Sequence, residues 1–163
     1  MNYTYILALL CLLSVALIGF AAALVMFGRQ ETPPGQRIRI RNLLTLGLLS
    51  GLFSLLPLLV IATRIPEVLA FRISQLGLAG AVSFMVAVRF IPSYRLNKAH
   101  ITELALFFLS IALLLVAALV QVYSALNNHS PVPYYMVGVT TLVIVTGITF
   151  YRVVSYALRY PDA

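Results

Sequence analysis

Charge is what this chain has least of. Only four of its 163 residues are acidic and eleven are basic, so charged side chains make up 9% of the sequence and hydrophobic ones 62%. A water-exposed globule of this size would be insoluble with that balance. Cys11 is the one cysteine, which excludes a CxxC redox pair and an intrachain disulfide and leaves it as a small packing residue. The two histidines, His100 and His129, are too few to ligate zinc, and the topology derived below puts them on opposite sides of a membrane as loop residues, excluding a paired-histidine haem site within one monomer. HExxH, GxSxG, P-loop and GxGxxG patterns are all missing. Catalytic, proton-relay and metal sites in membranes generally need ionisable groups within the hydrocarbon layer. No catalytic, cofactor-binding or metal-binding residue is therefore assigned.

Long apolar stretches are what the chain has in quantity. Five of them cover most of the sequence, with ionisable residues at or beyond their ends. They far exceed the roughly ten-residue alternating segments of a membrane barrel, and hydrocarbon offers no water to backbone polar groups, so they should be helices. The expected fold is all-α: a polytopic membrane protein forming one domain over residues 1–163, with helices at about 3–27, 43–62, 66–91, 101–126 and 134–160 in a compact bundle. The third is the shortest in strictly apolar terms, because Arg72 and Arg89 bound it. Its sixteen intervening residues cover roughly 24 Å, enough if both arginines snorkel to the interfaces.

Basic residues set the orientation, since short loops rich in Lys and Arg stay cytoplasmic. Arg29, Arg37, Arg39, Arg41, Arg89, Arg95, Lys98, Arg152 and Arg159 fall on one side, and only Arg64 and Arg72 on the other. The N-terminus should be outside and the C-terminus in the cytoplasm. The tyrosines fit an aromatic belt, with Tyr3, Tyr5, Tyr123, Tyr134 and Tyr135 outside and Tyr94, Tyr151, Tyr156 and Tyr160 inside. The leader MNYTY has no positive charge and the run behind it exceeds an ordinary signal-peptide core, so the first stretch reads as a membrane anchor. Ten arginines to one lysine suggest a GC-rich bacterial genome, hence a bacterial plasma (inner) membrane. The net charge of +7 is explained by topology, and no soluble module exists to present it to nucleic acid.

Small-residue faces are the clearest positive signals. Gly47, Gly51 and Ser54, with Ser50 beside them, line one side of the second span. Ser74, Gly77, Ala81 and Phe84 line one side of the third. These two faces are expected to meet within the monomer; a homodimer seam is the competing reading. Pro57 should bend the second span and leave the Phe53 carbonyl in need of a partner, with Ser54 near enough to help. On the fifth span Gly138, Thr141, Val145, Thr149, Arg152, Tyr156 and Arg159 share a face that should avoid lipid, as do Glu103, Ser110, Ala117, Gln121 and Ser124 on the fourth. The hairpin of these two spans puts Glu103 and Arg152 at similar depth, and they are expected to pair, with Arg89 as the alternative partner of Glu103. Arg37, Arg39 and Arg41 follow Pro33, Pro34 and Gly35 as a basic edge suited to anionic lipid headgroups. A sixty-residue offset aligns Leu49 with Leu109 and Ser50 with Ser110, matches expected by chance in so leucine-rich a chain.

Packing surfaces without acid–base groups at depth favour a non-catalytic membrane component: an accessory, assembly or regulatory subunit needing no cofactor, partnered by membrane lipids and by copies of itself or another membrane protein. A subunit of a small oligomeric transporter or channel is the alternative. An interfacial lipid-modifying enzyme built on Glu103, Arg89 or Arg152 ranks third, because one acid without His, Cys or metal ligands is a poor acid–base set.

Overall fold

Prolines and a left-handed residue punctuate the chain into helices. The computed structural model describes residues 3–27, 34–90, 101–127 and 130–159, of which the side chains of 21, 24–27, 34–36, 89–90, 101–103 and 156–159 fall outside the description. Helix α1 spans Tyr3–Phe27, α2 Pro34–Ala62, α3 Glu67–Met85, α4 Ile101–Leu126 and α5 Pro131–Arg159. A π-helical turn, Val86–Phe90, continues α3. No strand occurs among the described residues, and all five α-helices are long and apolar enough to cross a membrane.

Pro34 and Pro131 stand first in α2 and α5, where a missing N–H removes nothing and the fixed φ favours entry into the helix. Pro66 caps α3 at φ −54° and ψ 137°, its carbonyl accepting from the Leu69 and Ala70 amides at 3.0 Å. Helix α2 ends differently. Arg64 adopts φ 66°, and its amide donates to the Ile61 carbonyl at 3.0 Å, so an arginine occupies the left-handed closing position that usually goes to glycine. The start of α2 at Pro34 lies nine residues before the expected boundary at 43. Arg37 and Arg41 therefore share an exposed helical face, and Arg39 turns inward to 7% exposure. The basic segment, expected as an edge beside the second span, is the first part of that helix.

Helix α5 is the axis of the bundle. It packs on every other helix, and the remaining four follow one another around it, with α1 on α2, α2 on α3 and α3 on α4. Half of its apolar span is buried, against 11% of the span Tyr3–Phe20 in α1. The reason lies in side-chain size: Gly138, Val145, Thr146 and Thr149 let neighbours approach closely, and the threonine hydroxyls are satisfied by their own helix at Leu142 and Val145. Outward faces carry large apolar side chains such as Leu12, Phe20, Leu48, Phe84 and Leu119.

One aromatic column ties three helices near the α1 start. Tyr3 meets Phe71 edge-to-face with centroids 5.4 Å apart, and Phe71 meets Tyr135 at 5.5 Å. Tyr135 is therefore fully buried, where the belt scheme expected an interfacial residue. At the opposite end Phe20 reaches Phe150 of α5 at 6.4 Å.

Candidate functional site

The interior holds a set of neutral polar groups, several of which bond one helix to another. Between α1 and α2, Ser14 and Ser50 share a buried hydrogen bond of 2.7 Å. Gly47 makes the approach possible: a Cβ there would stand 2.9 Å from Ile18 Cδ1, and one at Gly51 would be 4.0 Å from Ser14 Cβ. This corrects the expected partner of the Gly47 and Gly51 face, which meets α1 and not α3. The α2–α3 contact instead passes through Phe53, whose ring lies 3.5 Å from the position of a Cβ on Gly77. Ser74 is buried, Ala81 packs half-buried against the core, and Phe84 of the same stripe points outward. Ser54 is buried and donates to Ser50 O of its own helix.

Pro57 cannot donate to Phe53 O, and the carbonyl is taken by the Tyr135 hydroxyl from α5. Ser74 lies beside that hydroxyl, and its own Oγ donates to Ala70 O at 2.8 Å. Sequence reasoning found the orphan carbonyl but looked to Ser54, one residue away, where the fold brings a residue 82 positions distant.

The densest polar cluster joins α3, α4 and α5 at the α4–α5 turn. Gln75 Nε2 donates to Ser124 Oγ at 3.3 Å and to Pro131 O at 3.2 Å, and Gln121 Nε2 donates to Tyr134 O at 2.6 Å. Gln75, Gln121 and Ser124 are all buried. Gly138 is required here, since a Cβ would lie 2.8 Å from Leu78 Cδ2 and 2.9 Å from Gln121 Cδ. The Gln121 and Ser124 face was legible from helical spacing. Gln75 lies outside the Ser74, Gly77, Ala81 and Phe84 stripe, though a lone glutamine in an apolar run is a signal in itself.

At the other end Arg152 is buried at 5% exposure with its guanidinium carbon 5.5 Å from the Phe107 ring centroid, a cation–π contact. Its expected partner Glu103, and Arg89 as the alternative partner of Glu103, have side chains outside the described residues. Arg39 and Asn42 are buried near Leu43, which packs with Val153. Of the three arginines expected to form the basic edge, Arg39 is buried and Arg37 and Arg41 are exposed. His100 and His129 lie outside the described residues, among which no group of three or more His, Cys, Asp or Glu gathers.

A groove of about 670 Å³ opens between α1 and α5, lined by Tyr3, Ile6, Val132, Met136, Thr140 and Ile144 among others. Its walls are apolar, and Thr141 at its edge donates to Val137 O of its own helix. No family model, curated protein or solved structure matches the chain.

Proposed function

We propose that the chain is an integral protein of a bacterial plasma membrane, N-terminus outside and C-terminus inside, acting as a non-catalytic accessory, assembly or regulatory subunit. The observation that carries this reading is the use of the interior polar groups: Ser14 with Ser50, Gln75 with Ser124, Gln121 with Tyr134 and Tyr135 with Phe53 all bond one helix to another. Amides and hydroxyls in such roles hold membrane helices together, and none of them is a ready proton carrier or base. The outward leucines and phenylalanines suit acyl chains, and Arg37 and Arg41 suit anionic headgroups, at about 1 kcal/mol per charge near the surface. The arginine-rich composition supports the bacterial assignment.

Purification from native membranes in polymer-bounded lipid discs, followed by mass spectrometry of the intact particles, tests the subunit role. A stoichiometric second protein, or a defined homo-oligomer, supports it; a lone monomer that moves solute when reconstituted refutes it in favour of transport. Orientation is read separately, with Cys11→Ala as background. Cysteine at Arg64 should react with an impermeant thiol reagent from outside, and cysteine at Arg37 only after the membrane is opened.

The alternative, a transporter or channel subunit, draws on one feature, the glutamine cluster at the α4–α5 turn. Its side-chain oxygens are buried acceptors whose chemistry suits a small polar occupant.

A further inference from the structure

The amide nitrogens of Gln75 and Gln121 are committed to acceptors on α4 and at the start of α5, at Ser124, Pro131 and Tyr134. Those bonds fix the orientation of both amides, because a flip would set oxygen against carbonyl oxygen at Pro131 and Tyr134. Each side-chain oxygen is thereby turned away from its neighbours' carbonyls. Gln75 Oε1 and Gln121 Oε1 are buried and neither has a hydrogen-bond partner among the described residues. A carbonyl oxygen can only accept, so whatever satisfies it must bring hydrogen. Both oxygens belong to side chains with no exposed surface, which favours the smallest donor. The approach is short: Ser124 stands three residues before exposed Asn127, and Pro131 directly follows exposed Ser130.

We propose that this cluster is a hydration site, in which water entering from the α4–α5 turn donates to Gln75 Oε1 and Gln121 Oε1 and wets the bundle to the depth of Gln121. The inference rests on the membrane reading, because only in hydrocarbon does water mark the inside of the bundle from the outside. It would make this end of α3, α4 and α5 a polar vestibule able to admit small neutral hydrogen-bond donors.

Hydroxyl-radical footprinting of the unmodified chain in liposomes, with radicals generated by pulsed X-rays and read by mass spectrometry, tests it. Leu78, 2% exposed and beside the Gln121 amide, should be oxidised several-fold faster than Leu114, which is buried away from the glutamines, and than Leu76, 54% exposed on the outward face. Gln75→Leu combined with Gln121→Leu should remove that excess at Leu78. Equal, low labelling of Leu78 and Leu114 overturns the proposal and leaves the membrane reading standing. Fastest labelling at Leu76 means the outward face meets water, and both then fall. If the double variant does not fold, the comparison of three leucines in the unmodified chain still decides.

Discussion

The Tyr135 hydroxyl on α5 donates to the Phe53 carbonyl on α2, the carbonyl that Pro57 leaves without an amide. A break in one helix is thus closed by a side chain from another, and the bond acts only because Tyr135 is buried against Phe71.

Tyr135→Phe keeps the ring and strands a buried acceptor, which costs about 1–3 kcal/mol. The expected outcome is a lower unfolding free energy in mixed detergent with no change in oligomeric state. Pro57→Ala restores an amide to Phe53 O, so Tyr135→Phe should cost less in that background. A double-mutant cycle with no coupling would show that the two residues act independently.

Gly138 and Gly147 sit on the same helix and should respond oppositely to alanine. At Gly138 the new methyl would press on Leu78 and Gln121, and overpacking of this kind costs about 1–3 kcal/mol. At Gly147, as at Gly80 on α3, nothing lies within 4 Å. Alanine there should be neutral or gain roughly 0.5–1 kcal/mol from the restricted backbone. Thermal unfolding of the three single variants checks the order.

Helix α1 is held chiefly by its seam with α2, so Gly47→Leu should loosen α1 while α2 to α5 stay together. Disulfide trapping between cysteines placed at Ser14 and Ser50 in a Cys11→Ala background should form readily, and fail when Gly47→Leu is added. Ser50→Ala alone should be mild, about 0.6 kcal/mol, the average found for hydrogen bonds between membrane helices.

Arg64 closes α2 with φ 66°, a conformation costing roughly 1–2 kcal/mol for a residue with a Cβ. Arg64→Gly should raise the unfolding temperature slightly, since the relief at this position exceeds the extra freedom glycine brings to the unfolded chain. A fall in stability would mean that the arginine side chain contributes more than its backbone loses.

Hydropathy alone places five long apolar helices, because their length and near-absence of charge leave the backbone few other ways to satisfy its polar groups. Pro66 marks the start of α3, whereas α2 and α5 begin at Pro34 and Pro131, ahead of the expected 43 and 134; helical spacing reveals the buried side of α4 through Ser110, Ala117, Gln121 and Ser124. Spacing cannot name the helix that a face will meet. Gly47 and Gly51 look equally suited to α3 and to α1, and the choice falls to α1 because Ser14 and Ile18 complement that surface in shape and hydrogen bonding.

Tertiary structure also decided which tyrosine is buried, which arginine turns inward and which glutamines meet at the α4–α5 turn. Those outcomes depend on distances between residues far apart in the chain, such as the 82 positions separating Phe53 from Tyr135. A sequence fixes the solvent each segment prefers, residue by residue. Partnership between segments is a property of two surfaces at once, and it exists only after the helices have packed.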